Sequence, residues 1–365
     1  MRKVVLFFLG LVFLSLGFTV GFILVWDYDD VDMTDVEETF QKNASYEYHY
    51  QKLNKAGQES YRRLYYAIET RREDIRLYDT SVKQSEELYQ CVLSDHPEFF
   101  YVSTGYEYIK ENDDLIFYPQ YECSLKEQKK LQKQVDNSIE KIMKKVDQKK
   151  TSLEKIKLLY EYIIETVQYK PQKRDQNLLS ALLDKKSVCT GYAKAYQYLL
   201  KKAGIEATAI NGQSLEKKEG HVWVMIHMKD NYYYSDPTWG DVEQKGMTHT
   251  CYGYMLMNSQ EMMKNYEVDR YYELTQKGAI RYYNEINCYM RTYRTSVLSK
   301  AIQYAKKNKQ KVAEFQCANE EVYKQTKSRM KYSYDIYDAL VKNGYPSGEG
   351  RYSFIDELRI IEIYF

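Results

Sequence analysis

The sequence predicts an α+β fold in which a helix with Cys189 in its first turn packs on an antiparallel sheet. Two observations predict it: a helical pattern after Cys189, and strand patterns after that helix. The expected segments are a membrane signal-anchor at 4–26, a linker at 27–44, an N-terminal α+β domain at 45–123, the core at 124–258 and a C-terminal mixed α/β domain at 259–365.

Composition excludes one broad class of function. The chain carries 53 lysines and arginines against 52 aspartates and glutamates, so it lacks the basic surplus typical of nucleic-acid-binding proteins. We therefore expect no nucleic-acid partner. The 40 tyrosines are spread along the chain, which favours amphipathic helix and strand faces over a single binding surface.

The N-terminal segment predicts membrane attachment. Arg2 and Lys3 precede an uncharged run at residues 4–26, and 23 residues span about 30 Å of hydrocarbon as a helix. The two basic residues favour a cytoplasmic start, so a single-pass anchor leaves the bulk of the chain outside the cytoplasm. The alternative is a cleaved signal peptide, with Ser15 and Gly17 as a small-x-small site, and a secreted product.

The N-terminal domain predicts helices followed by a hairpin. Residues 45 to about 93 have a helical pattern that ends before Pro97, because a proline disfavours helix at the residue before it. Residues 98–122 form two aromatic-rich, partly alternating runs around Asn112 and its two following aspartates, which is typical of a β-hairpin.

Two helices are predicted to precede the Cys189 helix. Leu131, Val135 and Ile139 begin an apolar stripe at helical spacing. Thr151 followed by Glu154 is a capping-box pattern that marks the start of the second helix. Beyond residue 259, a helical run near 296–308, a strand near 311–318 and a final strand-like run indicate the C-terminal mixed domain.

Cys189 is the first candidate functional residue. Ser187 is the expected N-cap, so Cys189 falls in the first turn, where free N–H groups and the helix dipole favour a thiolate. Gly191 would leave room for a substrate backbone. From the helix alone, a buried structural cysteine is at least as good an interpretation. None of the six cysteines forms a C-x-x-C pair, so a zinc ribbon or thioredoxin-like motif is unsupported.

His221 and Asp236 are predicted to meet across a hairpin. If Lys229 and Asp230 form the turn, position 221 lies opposite position 238, and Asp236 is its diagonal neighbour on the same face. Such neighbours have Cβ atoms about 7–8 Å apart, within reach of a histidine–carboxylate hydrogen bond. Asp236 would then fix the imidazole tautomer while His221 takes the proton of a thiol.

Four further residues lie near these candidates in sequence. Trp223 and Trp239 flank them; we favour core packing for both, with walls of a substrate cleft as the alternative. His227 shares a face with His221 but suits an ordinary strand residue near the turn. Asp241 could compete with Asp236, but it falls after the strand.

No metal ion and no cofactor is expected from the sequence. The remaining histidines, His49, His96 and His249, are scattered along the chain and lack the spacing of metal ligands.

Three segments carry a family resemblance. "SVCTGYAKAYQYLLKKAGIEATAING", "GHVWVMIHM" and "NYYYSDPTWGD" resemble the motif blocks of the transglutaminase-like superfamily, over roughly residues 125–258. The preceding "SDHPEFFYV" resembles exported transglutaminase-like proteins of Gram-positive bacteria. The resemblance implies a papain-like triad with Cys189 as nucleophile, His221 as base and then acid, and Asp236 as orienting residue. The second oxyanion donor does not transfer, and Gln168, Tyr169 or another residue stays open.

The implied activity is acyl transfer on protein or peptide amides. Proteins and peptides of the cell envelope are among the expected substrates. A Cys189 thioester would pass its acyl group to an amine or to water, so transglutaminase, deamidase and protease outcomes stay open, since water exclusion and the acceptor site decide among them. The alternative from another class is a non-catalytic envelope binding or scaffold module that retained the fold.

Overall fold

The computed structural model describes residues 31–43, 47–228, 231–244, 247–268, 282–346 and 350–365. The predicted anchor at residues 4–26 and the predicted turn at 229–230 lie outside these ranges. Within them, the helices are too short or too polar to cross a bilayer.

Helices and strands both contribute extensively, so the fold is mixed α+β. The α-helices of the described residues are α1 (Met33–Asn43), α2 (Tyr48–Lys52), α3 (Lys55–Glu69), α4 (Val82–Asp95), α5 (Leu125–Asp147), α6 (Ser152–Thr166), α7 (Cys189–Lys202), α8 (Pro237–Gly240), α9 (Ser259–Met262), α10 (Tyr282–Glu285), α11 (Thr295–Lys307), α12 (Glu320–Tyr332) and α13 (Asp335–Lys342). The strands are β1 (Ile75–Leu77), β2 (Val102–Glu111), β3 (Asp114–Tyr121), β4 (Gln168–Tyr169), β5 (Lys186–Ser187), β6 (Glu206–Ser214), β7 (Gly220–Met228), β8 (Asn231–Ser235), β9 (Asp241–Gln244), β10 (Met247–Thr250), β11 (Tyr266–Val268), β12 (Tyr289–Met290), β13 (Val312–Cys317), β14 (Arg351–Ile355) and β15 (Ile360–Tyr364).

The described residues fall into two compact units, of which the first consists of residues 31–43, 53–89 and 104–120. Its sheet has the order β1-β3-β2. The predicted hairpin is present as β2 and β3, and Asn112 between them has a φ of 55°, the left-handed conformation that tight hairpin turns require. Strand β1 was not predicted, because its three residues pair only with β3, about 40 positions further along the chain.

The segment expected to be a linker, residues 27–44, contains helix α1. Val36 and Phe40 lie four residues apart on one face of this helix, and both are buried. The Phe40 ring centroid lies 5.3 Å from that of Tyr65 on α3. Through this aromatic contact, α1 packs on α3. The polar residue pattern of the α1 segment did not predict that contact.

The second unit consists of residues 47–52 and 90–103 and of the described residues from 121 to 365. Helix α5 is capped by Ser124, and α6 begins with the predicted capping box, in which Thr151 and Glu154 exchange side-chain and backbone hydrogen bonds. Helix α7 packs on strands β6 and β7, with Tyr192 and Tyr196 fully buried. The predicted arrangement of helix on antiparallel sheet is therefore present.

The central sheet has the order β11-β6-β7-β8 and is antiparallel throughout. Met228 pairs with Asn231 and Val224 with Ser235, which is the register predicted for the hairpin. Asn211 and Gly212 lie inside β6. A Cβ on Gly212 would stand 2.1 Å from the carbonyl oxygen of Glu267, so the glycine permits the close approach of β11.

A buried polar network joins the early segments of this unit to its core. Nδ1 of His49 lies 2.7 Å from Oδ1 of Asp95, and the Thr208 hydroxyl donates to the same oxygen over 2.9 Å. The Gln197 amide on α7 donates to the carbonyl oxygen of Ser94. The "SDHPEFFYV" segment thus binds both α7 and β6.

The C-terminal part of the unit contains a second sheet of order β12-β13-β15-β14. Strands β13 and β15 are antiparallel and almost wholly buried, and they place Glu314 directly opposite Glu362. Helix α11 packs on β13. The predicted helix, strand and final strand of this region are all present.

Candidate active site

Cys189 is the first residue of helix α7 and is partly buried. The N-cap is Val188, in an extended conformation, and not the predicted Ser187. Ser187 belongs instead to β5, which pairs with β4, and its hydroxyl lies 2.6 Å from that of Ser180. The Val188 side chain makes no capping hydrogen bond. The N-cap side chain therefore leaves the backbone N–H groups in the first turn of α7 available.

Gly191 serves helix packing. A Cβ at this position would lie 1.9 Å from Oγ of Ser187 and 2.4 Å from Oγ of Ser180. The residue is buried, so the expectation that it opens a substrate cleft is corrected: the missing side chain lets α7 approach the serine pair.

The structure brings His221 and Asp236 together. His221 lies on β7, and Asp236 directly follows β8 as the N-cap of the short helix α8. Nε2 of His221 lies 2.7 Å from Oδ2 of Asp236, and both side chains are buried. Oδ1 of Asp236 accepts hydrogen bonds from the backbone N–H groups of Thr238 and Trp239, which fix the carboxylate.

Cys189 and His221 lie close enough for each to shift the pKa of the other. Since Nε2 faces Asp236, Nδ1 is the nitrogen left to face the sulfur. Burial acts to raise the pKa of Cys189, but the neighbouring His221 and the backbone N–H of Val222 outweigh burial and lower that pKa below its usual value. For His221, burial acts to lower the pKa, and the Asp236 carboxylate outweighs it, raising the pKa to about 10. The arrangement favours a thiolate–imidazolium pair at neutral pH.

Tyr266 is a member of this site that sequence analysis missed. Its hydroxyl donates to Oδ2 of Asp236 over 2.7 Å, and its ring stacks on His221 with centroids 5.7 Å apart and planes inclined by 8°. The residue lies on β11, beyond the third motif segment, and it is buried. No spacing signal in the sequence links it to Asp236.

Tyr160 holds the backbone below the site. Its hydroxyl lies 3.2 Å from the carbonyl oxygen of Asp236 and 3.0 Å from that of Cys251. Sequence analysis identified the helix that carries Tyr160, but the helical pattern alone gives a tyrosine no polar role.

The two tryptophans have different environments. Trp223 is fully buried and stacks on Tyr266, with ring centroids 4.6 Å apart, so it belongs to the core and lines no cleft. Trp239 is partly exposed, and its ring centroid lies 6.0 Å from that of His221. Trp239 therefore stays a candidate for the wall of a substrate cleft.

Tyr169 lies on the open side of the site. It is 49% exposed, and partial burial and the neighbouring Cys189 both raise the pKa of its hydroxyl. Gln168 and Tyr169 line a cleft of about 750 Å³ together with His249, Asp241 and residues 308–312. A polar, open cleft therefore adjoins Cys189 through Tyr169.

His227 and Asp241 have partners of their own. Nδ1 of His227 lies 2.5 Å from Oε2 of Glu206, and Asp241 accepts a hydrogen bond from the Tyr192 hydroxyl over 2.9 Å. His249, which the sequence left isolated, lies beside Glu314 and Glu362, with one donor atom of each residue within 4.8 Å of the others. In the part of the chain that the structure describes, this group could hold a metal ion.

Residues 140–237 match the family model of the transglutaminase-like superfamily. The matched range contains Cys189, His221 and Asp236. No curated protein matches the chain.

Three solved structures are similar to part of the chain. A TGase is 11% identical, covering 45% of this chain and 51% of the other, with a TM-score of 0.28. A candidate cysteine protease from Cytophaga hutchinsonii is 12% identical, with coverages of 37% and 61% and a TM-score of 0.26. The periplasmic domain of TgpA from Pseudomonas aeruginosa is 15% identical, with coverages of 34% and 53% and a TM-score of 0.24. The chain thus spans about half of the solved chains that it matches.

Proposed function

We propose, from the premise that residues 140–237 form a transglutaminase-like domain, that the chain is a thiol-dependent acyltransferase or hydrolase of protein or peptide amides. The observation that supports this activity is the series Cys189, His221 and Asp236: His221 is hydrogen-bonded to Asp236, the pKa of the neighbouring Cys189 thiol is lowered, and that of the imidazole is raised. Such a series combines a nucleophile, a proton carrier and a group that orients the carrier.

In the proposed first half-reaction, the Cys189 thiolate attacks the amide carbonyl carbon and forms a carbon–sulfur bond. The carbonyl π electrons move to oxygen and give a tetrahedral oxyanion. As the oxyanion collapses, the carbon–nitrogen bond breaks, and His221 gives its Nδ1 proton to the leaving amine or ammonia. The product is a thioester on Cys189.

In the second half-reaction, an amine or water attacks the thioester carbonyl and gives a proton to Nδ1 of His221. Collapse expels the Cys189 thiolate and restores the ion pair. An amine acceptor yields a new amide, and water yields a carboxylic acid. Asp236 keeps Nε2 of His221 occupied in both halves, so that Nδ1 faces the reaction.

Two donors are proposed for the oxyanion. The first is the backbone N–H of Cys189, because the N-cap Val188 has no side chain that would occupy the first-turn N–H groups. The second is the Tyr169 hydroxyl, since the neighbouring Cys189 charge contributes to raising the pKa of that hydroxyl. Replacing Tyr169 with Phe is expected to lower kcat with little change in KM, because the hydroxyl would act on the transition state.

The cleft beside Tyr169 supports a polar peptide as substrate. Its volume of about 750 Å³ accommodates a short extended segment, and its walls include Glu161, Glu165 and Lys185. Both signs of charge line the cleft, which suits a polar chain better than an apolar ligand. We further propose an extracytoplasmic location, which rests on the sequence of residues 4–26.

The decisive experiment traps the thioester. The wild-type chain is incubated with a glutamine- and lysine-containing peptide library and with a labelled primary amine, and acylated cysteines are identified by mass spectrometry. We expect an acyl group on Cys189, with either amine incorporation or peptide hydrolysis, and loss of both in Cys189→Ala.

Cys288→Ala is the matched control, because burial raises the pKa of the Cys288 thiol to about 12 and makes it unreactive. This variant should retain activity. Should wild type neither form a thioester nor react at Cys189 with iodoacetamide at neutral pH, the enzymatic proposal fails and a binding module becomes the better description.

A further inference from the structure

His249, Glu314 and Glu362 form a second polar cluster, in the same compact unit but separate from the Cys189 site. His249 lies on β10, and the two glutamates lie opposite each other on β13 and β15. One donor atom of each residue lies within 4.8 Å of the others. Like charges placed directly opposite each other on neighbouring strands repel. A cation bound between the two glutamates would offset that repulsion.

The two carboxylates are held in matching ways by protein donors. Oε2 of Glu362 accepts hydrogen bonds from the hydroxyls of Ser353 and Tyr364. Oε2 of Glu314 accepts hydrogen bonds from the Tyr283 hydroxyl over 2.7 Å and from the Tyr252 backbone N–H over 3.0 Å. Each carboxylate is thus oriented through its Oε2, as outer groups orient metal ligands. Oε1 of Glu362 faces Nε2 of His249, and Oε1 of Glu314 is left for another partner.

Two atoms of the cluster are buried without a hydrogen-bond partner among the described residues. Oε1 of Glu314 is one, on a side chain that is 8% exposed. Nδ1 of His249 is the other, on a side chain that is 7% exposed, while Nε2 lies 2.8 Å from Oε1 of Glu362. Buried polar atoms normally find partners.

We propose that His249, Glu314 and Glu362 bind a divalent transition-metal ion, of which Zn²⁺ is the representative. One imidazole nitrogen and two carboxylate oxygens are ligands typical of Zn²⁺, with water in an open fourth position. The imidazole disfavours Ca²⁺, which takes oxygen ligands. His249 lines the cleft of about 750 Å³, so the ion has an entry path from solvent.

The site would join two parts of the second unit. His249 belongs to the β9–β10 hairpin that follows the Asp236 segment, whereas the glutamates belong to the C-terminal sheet. Bound metal would therefore hold this hairpin to that sheet. The proposal is independent of the Cys189 chemistry, so either can fail alone.

The test measures metal content and stability. The 365-residue chain in detergent is stripped with a chelator, dialysed against Zn²⁺, and analysed by inductively coupled plasma mass spectrometry. Affinity is measured by competition with a chromophoric chelator, and Ca²⁺ is tested in parallel. We expect one Zn²⁺ per chain, a higher Tm with Zn²⁺ than without, and weaker binding of Ca²⁺.

The variants Glu314→Gln and Glu362→Gln remove one anionic ligand each and keep the side-chain size. Both are expected to weaken Zn²⁺ binding more than 100-fold, since loss of an outer-shell partner alone typically costs about 10–100-fold. Ser353→Ala removes only an outer partner of Glu362 and should fall within that smaller range. Ser353→Ala also tests the proposal if a glutamine variant fails to fold.

Two controls separate this cluster from other ligands. His227→Asn removes the histidine of a partly exposed histidine–glutamate pair, and Cys189→Ala removes the reactive thiol; each should still bind one Zn²⁺. X-ray absorption should show nitrogen and oxygen at about 2.0–2.2 Å and no sulfur at about 2.3 Å. Absence of Zn²⁺ binding in wild type, wild-type affinity in both glutamine variants, or a sulfur ligand would each overturn the proposal.

Discussion

The surroundings of His221 and His249 differ although their closest contacts are alike. Each histidine places Nε2 next to a buried carboxylate, at 2.7 Å from Asp236 and at 2.8 Å from Glu362. The third group differs: a thiol faces His221, and a second carboxylate accompanies His249. The two proposals therefore give the same histidine–carboxylate pair a proton-transfer role in one region and a cation-binding role in the other.

This difference shows that a histidine–carboxylate contact has no function by itself. With a thiol as third partner, the raised pKa of His221 and the lowered pKa of Cys189 support each other, because the pair can share one proton. With a second carboxylate, one imidazole neighbours two acidic groups, and the three side chains form a group that could hold a metal ion. Variants that act on one region alone separate the two roles.

His221→Asn is expected to lower kcat/KM by about 10²–10⁴-fold, the usual contribution of a positioned proton carrier. His227→Asn, on the same strand, removes a histidine from a partly exposed salt bridge and should change kcat/KM less than threefold, since such pairs contribute about 0–1 kcal/mol to stability. Steady-state kinetics on the substrate found by thioester trapping provide the measurement. Similar losses in both variants would contradict the assignment of His221.

Asp236→Asn is expected to lower kcat on the order of 10²-fold, within the range for groups that support proton transfer. Asparagine can still accept the N–H groups of Thr238 and Trp239, so the start of α8 should persist. The Zn²⁺ content should stay at one per chain, whereas Glu362→Gln should lose the metal. Loss of Zn²⁺ in Asp236→Asn would show that the two regions are coupled and would contradict their separate roles.

The pH dependence of kcat/KM should be bell-shaped. Cys189 has a lowered pKa, so its thiolate is present above that pKa and is lost as the pH falls through it. His221 has a raised pKa, so its proton is retained below about 10 and is lost as the pH rises through that value. Activity should fall about tenfold per pH unit beyond either limb.

The pH profile also has its own control. The rate of Cys189 alkylation by iodoacetamide, followed without substrate, should rise through the same pH range as the acid limb. In Asp236→Asn the alkaline limb should move to lower pH, because the carboxylate charge that raises the pKa of His221 is gone. An unchanged alkaline limb would mean that another group sets it.

Tyr266→Phe and Tyr364→Phe form a matched pair with the smallest expected effects. Each hydroxyl donates over 2.7 Å to the carboxylate of its own region, Asp236 or Glu362. Tyr266→Phe keeps the stacked ring and should lower kcat about tenfold with KM unchanged, the equivalent of about 1.4 kcal/mol, without altering Zn²⁺ content. Tyr364→Phe should weaken Zn²⁺ binding about 10–100-fold. The reverse pattern would refute the separate roles.

Local features of the site could be predicted well. The position of Cys189 follows from the helical spacing after it, and the meeting of His221 and Asp236 follows from hairpin register, because only 15 residues separate them. The cap of α7 was predicted wrongly as Ser187, since pairing of β4 with β5 turns that side chain towards Ser180. The role assigned to Gly191 failed for the same reason, because the serine pair occupies the space beside it.

The sequence by itself determined the α+β class, the helix that carries Cys189 in its first turn and the hairpin register, and its motif segments carry the resemblance to the transglutaminase-like superfamily. The class, the helix and the register depend on residue periods and short loops that local chemistry fixes. Only the tertiary structure brought Tyr266 to Asp236, and His249 to Glu362 across 113 positions of sequence. The physical reason is that these contacts depend on how separate strands and sheets pack. Neither strand period nor turn chemistry encodes which strands pack together when they lie far apart in sequence.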